Sequence, residues 1–210
     1  GGSVHVVNDE QRRDPSALHQ VVESEGITVL EVVPSFLRAL LDLEETTRLT
    51  WSTLKLLVVT GEALPSDLCR RWLEQHPDIP IVNAYGPTEC SDDVTHNFIT
   101  TIGDDEPEIA PVGRAVSNIQ IYILDEQLFQ VPIGMVGEVY VGGIGVGRGY
   151  LGDSERTSRS FIPIPYATKP GERLYRTADL GRQRSDGAID FLGRVDHQVK
   201  IRGYRIEPGE

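Results

Sequence analysis

Two short, nearly continuous apolar runs, Leu54 to Thr60 and Ile79 to Val82, constrain the fold most. Strands buried on both faces read this way, whereas half-exposed strands alternate apolar and polar residues. Segments with helical spacing lie around them. Asp14 is placed to cap a helix with Pro15 in its first turn and Ala17, Leu18, Val21 and Val22 on one face, closed by Gly26. Ile27 to Val33 is a short β-branched run. A second helix is predicted from Pro34 to about Asp42, with Phe36, Leu37, Leu40 and Leu41 apolar. A third opens at Pro65 and carries Leu68, Trp72 and Leu73. Helices alternating with near-continuous apolar strands specify an α/β fold, a parallel sheet with flanking helices.

The character changes near residue 108. Ile119 to Leu124, Gly137 to Val141, Ala188 to Leu192 and Gln198 to Arg202 are short strand signals separated by Gly, Pro and Asp turns. They predict a smaller antiparallel, barrel-like β subdomain. The acidic, loop-like stretch Thr101 to Pro107 is the natural junction, so the expected division is 1–107, flavodoxin-like, and 108–195, barrel-like.

Composition narrows the partners. At 210 residues and 39% hydrophobic content, the chain can bury one good core or two small ones. A formal charge of -12 argues against nucleic acid or an anionic membrane as a general partner. No apolar run approaches the roughly 20 residues that a membrane helix needs, and no secretory leader is visible. Cys69 and Cys90 form no metal-spaced pair, so reduced thiols and a cytoplasmic location are expected. The histidines His5, His19, His76, His96 and His197 show no ligand spacing either.

Ligands of a parallel sheet collect at the carboxyl ends of its strands. Glu31, Thr60 to Glu62 and Asn83 to Glu89 all fall there. In the stretch Asn83-Ala84-Tyr85-Gly86-Pro87-Thr88-Glu89, Gly86 and Pro87 suit a turn, the Thr88 hydroxyl suits a phosphate oxygen and Glu89 suits a hard divalent cation. An ordinary strand-ending turn is the alternative. The run from Gly142 to Gly149 is not a dinucleotide fingerprint, because no helix of a βαβ unit follows it; tight turns and close backbone approach explain it better.

Four segments taken together resemble one family. Asn83 to Glu89 is similar to the core motif of the amino-acid adenylation domains of nonribosomal peptide synthetases. Gly137 to Gly143 with Gly147-Arg148-Gly149-Tyr150-Leu151 resembles their glycine-rich barrel motif. Tyr175-Arg176-Thr177-Ala178-Asp179-Leu180 resembles their ribose-binding motif, with Ala178 where glycine is usual. Gly193 to Glu207 resembles their hinge and lid motif. The resemblance implies attack of an amino-acid carboxylate on the α-phosphorus of ATP, giving aminoacyl-AMP and pyrophosphate, then transfer to a phosphopantetheine thiol on a peptidyl carrier domain. ATP and Mg²⁺ are the implied cofactors. An acyl- or aryl-CoA ligase of the same superfamily and a non-catalytic nucleotide-binding module are the alternatives.

The resemblance also distributes roles. Thr88 and Glu89 would be catalytic, through phosphate and Mg²⁺ respectively. Gly61, Glu62, Ala63, Asn83, Ala84, Tyr85 and Gly86 would surround adenine, with Phe191 flanking it. Asp179 would accept the ribose hydroxyls and Arg194 would reach ribose or phosphate. Asp196 would be the hinge, with 196–210 beginning a mobile lid. Glu31, Val58, Thr60, Ala84, Asp92 and Asp93 match side-chain pocket positions. Three carboxylates around a small pocket repel one another unless a cation sits between them, which points to an amino acid with a cationic side chain. A helix amino terminus stabilised by Asp92 and Asp93 is the alternative there. The family's phosphate loop, its amino-clamping aspartate and its carboxy-terminal lysine are expected in further parts on either side. Those parts would be partners of this segment, which alone is expected to be nearly inactive.

Overall fold

A computed structural model describes residues 1–103, 105–164, 171–196, 198–201 and 203–206. Asp14 accepts the Ser16 amide at 2.8 Å, and Gly26 (φ 64) turns its amide back to the Val22 carbonyl, so α1 spans Pro15–Glu25. Then follow β1 (Val29–Val32), α2 (Pro34–Thr46), β2 (Leu56–Val59), α3 (Ser66–Gln75) and β3 (Ile81–Tyr85), with β1, β2 and β3 parallel neighbours. Residues 86–94 are too few for a crossover, which takes about a dozen. The chain therefore returns antiparallel as β4 (Thr95–Ile99), and β5 (Arg114–Ala115) adds a further antiparallel edge.

All three helices cover one face of this sheet. Leu18, Val22, Leu37, Leu40, Leu68 and Trp72 pack on Leu30, Val32, Leu57, Val59 and Ile81, each contributing about 1.5–3 kcal/mol by leaving water. The opposite face carries the cross-strand row Glu31, Val58, Val82 and Phe98. Val29 and Phe98 remain 51% and 62% exposed there. Among the described residues, helices thus cover one side of the sheet, while the other is open at Val29 and Phe98 and closed at Val82.

The second sheet is antiparallel throughout. It comprises β6 (Ile119–Leu124), β7 (Val136–Gly143), β8 (Phe161–Pro163), β9 (Arg173–Gln183) and β10 (Ile189–Arg194), with α4 (Ser154–Ser160) between β7 and β8. Its order is β10-β9-β7-β6, with β8 on β9. A hairpin of β11 (Val199–Ile201) and β12 (Tyr204–Ile206) follows. The α/β class with a smaller antiparallel β part is as the sequence specifies, and the change of sheet falls between Ala115 and Ile119.

Local boundaries differ for identifiable reasons. Helix α2 runs past Asp42 to Thr46, its last turn anchored where Glu44 accepts the Trp51 indole at 2.7 Å and meets His76 at 3.1 Å. Strand β3 does not stop at Val82, because Asn83, Ala84 and Tyr85 pair with Asn97, His96 and Thr95 of β4. No α-helix begins at Asp92 and Asp93: a 3-10 turn, Thr88–Cys90, is followed by Ser91 and Asp92 at φ 65 and 75 and then by β4. That removes the helix-terminus explanation for the two aspartates. Of the expected lid motif, His197, Arg202 and 207–210 lie outside the described residues.

Candidate nucleotide site

Gly86 is glycine because another backbone crosses it. A Cβ there would sit 1.7 Å from the Asp92 carbonyl oxygen. The end of β3 is thereby pressed against the 91–93 loop, and the Tyr85 side chain is sent toward the second sheet. There its phenol donates to Asp179 Oδ2 at 2.6 Å.

Asp179 is delivered by a β-bulge. Around it the β7–β9 register shifts between Glu138 and Tyr140, and the β10–β9 register shifts between Phe191 and Arg194. Such bulges bend a strand and re-aim one side chain. Thr177 secures the bulge, donating to the Val139 carbonyl at 2.7 Å and accepting the Asp179 amide at 2.9 Å. Ala178 adopts φ 61, the left-handed region that favours glycine. The substitution of alanine here is thus tolerated under strain.

Arg194 joins the two acidic partners. It donates to Asp179 Oδ1 at 2.6 Å and, as a two-pronged fork, to Asp196 Oδ1 and Oδ2 at 2.7 Å each. Burial raises Asp179 above its ordinary value, against the opposing Tyr85 hydrogen bond and the charges of Arg194 and Lys200. Burial alone would lower Arg194, but its bonds to Asp196 and the charges of Asp179 and Asp196 hold it above the ordinary guanidinium value. Burial and the Asp179 charge likewise push the Tyr85 phenol well up. The triad is thus a phenol, a buried acid and a guanidinium shared between two acids. A carboxylate offers about four acceptor directions, and these two donors leave capacity for a vicinal diol.

These groups border one cavity of about 520 Å³. Gly61, Glu62, Ala63, Ala84, Tyr85, Gly86, Asp179, Phe191, Arg194 and Asp196 line it, all of them expected in the sequence. Leu64, Ile109, Ala110 and Val112 add an apolar wall that sequence reading missed; no spacing or motif marks them. Gly193, Gln198, Val199 and Lys200 close another side. The result is an apolar slot beside a polar corner, which matches a planar base attached to a sugar. The Tyr85 and Phe191 ring centroids lie 6.1 Å apart, within direct aromatic contact, so a base would lie against this pair rather than between its rings.

Other expected residues sit elsewhere. Asn83 is 2% exposed and spends its amide on the Ala110 and Pro111 carbonyls at 3.1 and 2.9 Å, so it shapes the wall instead of facing the cavity. Glu62 accepts the Ser35 amide at the start of α2 at 3.0 Å and the Gly203 amide of the hairpin turn at 2.9 Å. It supplies the cap that α2 otherwise lacks and ties the hairpin to the first sheet. Tyr204 adds a second tie, accepting from Arg12 at 2.5 Å. Thr88 and Glu89 lie outside the cavity lining on the 3-10 turn, with Glu89 Oε1 accepting the Tyr150 phenol at 2.7 Å.

The acidic group lies apart from the helix-covered side. Glu31 stands beside Val58 in register, and Thr60 donates its amide to the Val32 carbonyl at 3.1 Å. Glu31 occupies an exposed position of β1, so its desolvation is only partial; that partial burial and the charges of Asp92 and Asp93 raise it, and the three carboxylates share one field. Asp93 also meets His96 Nε2 at 3.0 Å. Ala84 pairs with His96 across the strands and lines the nucleotide cavity as well, so it lies between the two regions.

Fold and site together define a nucleotide-binding α/β protein with an appended antiparallel β part. Residues 1–151 match the AMP-binding enzyme family, and the chain belongs to that family, in its nonribosomal peptide synthetase adenylation branch. Tyrocidine synthase 3 of Brevibacillus parabrevis is 42% identical over 213 residues, covering 100% of this chain and 3% of that protein. Enterobactin synthase component F of Escherichia coli (strain K12) is 41% identical over 216 residues, covering 100% of this chain and 16% of that protein. The structure of holo-PA1221, an NRPS protein containing adenylation and PCP domains bound to a vinylsulfonamide inhibitor, superposes with a TM-score of 0.82 and 32% identity, covering 92% of this chain and 33% of that one. The chain thus spans a small part of the curated relatives it matches.

Proposed function

We propose that this chain forms the nucleotide-holding part of an ATP-dependent ligase that activates an amino acid as aminoacyl-AMP and passes it to a phosphopantetheine thiol on a carrier domain. The observation that carries the proposal is the meeting of Tyr85, Asp179 and Arg194, from separate elements, around one cavity with an apolar wall.

In this reading the apolar wall and the Tyr85 ring receive adenine. Asp179 accepts both ribose hydroxyls, and Arg194 neutralises charge beside them. Charge neutralisation and in-line alignment of carboxylate and α-phosphorus are the main contributions such a site makes. Thr88 offers a hydroxyl to a phosphate oxygen. Among the described residues no group of three or more His, Cys, Asp or Glu forms a metal cage. A single carboxylate supplemented by phosphate oxygens is how Mg²⁺ is commonly held, so Glu89 with the neighbouring Thr88 hydroxyl fits that ion. Bound there, Mg²⁺ would neutralise phosphate charge. The hairpin of β11 and β12 belongs to a lid that turns about Asp196, and the open sheet face bearing Val29 and Phe98 packs against the rest of the domain.

The side-chain pocket is bounded by Glu31, Val58, Thr60, Ala84, Asp92 and Asp93, and its guest carries a positive charge, as ornithine, lysine or arginine does. The shared field of Glu31, Asp92 and Asp93 supports this. ATP–pyrophosphate exchange by the full-length protein across all amino acids tests the whole reading. Preference for a basic amino acid is expected, with Glu31→Gln losing about 2–5 kcal/mol of that preference. Exchange driven best by leucine or phenylalanine would defeat the cationic assignment. A CoA-dependent product in place of carrier loading would defeat the peptide-synthetase one.

A further inference from the structure

The glycine-rich segment from Gly142 to Tyr150 does not line the cavity described above, yet two of its glycines, Gly145 and Gly147, are fitted to the Thr88–Cys90 turn. A Cβ on Gly145 would lie 2.7 Å from the Cys90 carbonyl oxygen, and one on Gly147 would lie 2.9 Å from the Glu89 carbonyl oxygen. Gly143 and Gly149 have positive φ, at 109 and 137, whereas Gly145 and Gly147 do not. Backbone conformation therefore explains the first pair, and only close approach to the Thr88–Cys90 turn explains the second. The approach is hydrogen-bonded: the Gly147 amide donates to the Glu89 carbonyl at 2.8 Å, and the Ser91 hydroxyl donates to the Gly145 carbonyl at 3.0 Å.

The segment ends at Tyr150, whose phenol donates to Glu89 Oε1 at 2.7 Å. Tyr150 is itself immobilised. Its amide donates to Thr157 Oγ1 at 2.9 Å, its ring meets Phe161 edge-on at 5.5 Å, and the Arg156 guanidinium lies 4.6 Å from its ring centre. Such fixation from several sides exceeds what a surface turn needs.

We propose that the glycine-rich segment is a clamp that aims the Glu89 carboxylate, with Tyr150 as its positioning residue. The proposal rests on the reading of Glu89 as the ligand of a divalent cation. A glutamate side chain loses rotamer freedom when fixed; the clamp removes that loss before the cation arrives. Partners that hold a ligating carboxylate typically change metal affinity 10–100-fold when removed.

The test compares Glu89→Gln, Tyr150→Phe and Thr157→Val in the full-length protein. Mn²⁺ binding in the presence of ATP is followed by loss of the free-ion EPR signal, and Mg²⁺ half-saturation by pyrophosphate exchange. Tyr150→Phe should weaken Mn²⁺ about 10-fold and raise the Mg²⁺ requirement equally, while the KM for the amino acid stays within about twofold. Thr157→Val, which loosens Tyr150 without touching Glu89, should shift both readouts the same way by less. A purely structural tyrosine would lower the melting temperature and leave cation affinity alone. If Glu89→Gln weakens Mn²⁺ but neither Tyr150→Phe nor Thr157→Val does, the clamp is overturned and the metal reading stands. If Glu89→Gln leaves Mn²⁺ unaffected, the metal reading falls and takes the clamp with it.

Discussion

The phenol of Tyr85, at the end of a strand of the first sheet, lies 2.6 Å from Oδ2 of Asp179 on a strand of the second. Two residues 94 positions apart thus fasten the two sheets at the mouth of the cavity. Burial raises Asp179, and this hydrogen bond opposes the rise. An acid whose folded value is raised holds its proton more tightly folded than unfolded. Its ionisation therefore lowers stability as pH climbs from about 3.9 through the folded value, with no further loss above. Tyr85→Phe removes an opposing group, so the Asp179 midpoint should move further up. Carboxyl carbon NMR of labelled aspartate checks this; a midpoint that stays or falls would contradict the role given to Tyr85.

Glu31 obeys the same sign. Partial burial, Asp92 and Asp93 raise it, so stability falls as the pH climbs from its unfolded value through its folded one and stays lowered above. Glu31→Gln should melt at a higher temperature than the parent at pH 7. That advantage should vanish near pH 4, where the parent carboxyl is protonated. Melting curves at the two pH values, without substrate, decide it.

Glu62 holds two backbone amides from opposite sides, Ser35 and Gly203. Replacing it with alanine should release the 199–206 hairpin while the first sheet stays folded. Hydrogen exchange should accelerate at the Gly203 amide by at least about 10-fold and remain slow in the core strands. Equal exchange at Gly203 would show that Arg12 and Tyr204 suffice.

Ala178 stands at φ 61, a conformation costing an L-residue about 1–2 kcal/mol, less roughly 0.4–1 kcal/mol that alanine gains over glycine in the unfolded chain. Ala178→Gly should stabilise the protein by about 0.5–1 kcal/mol, raising the melting temperature by roughly 1–4 °C for a chain of this size.

Gly86→Ala should act in the opposite direction. Its Cβ would meet the Asp92 carbonyl oxygen at 1.7 Å, and backbone cannot give way as a flexible side chain can. A loss of about 2–4 kcal/mol is expected by denaturant melts.

Much of this was legible in the chain itself. The cap at Asp14, the glycine stop at Gly26 and the unbroken apolar strands specify the first sheet because local chemistry and burial agree there. Helix α4 left no trace, since none of its residues is buried and no apolar stripe exists to be read. The resemblance implies that Asn83 faces the nucleotide, whereas strand pairing turns its amide onto Ala110 and Pro111. The wall of Ile109, Ala110 and Val112 comes from a connecting segment whose position depends on long-range packing, which spacing does not encode. Tyr150 belongs to the glycine-rich motif, but its contact is not legible there, because its partner Glu89 is 61 residues away.

Arg194 grips two carboxylates, that of Asp179 and that of Asp196. Under the proposed function, a ribose diol on Asp179 would share that carboxylate with Arg194, and rotation at Asp196 would break the other grip. Pocket occupant and hairpin orientation would then be thermodynamically linked through one guanidinium: by reciprocity, any orientation that tightens the sugar's hold would itself be favoured by the sugar.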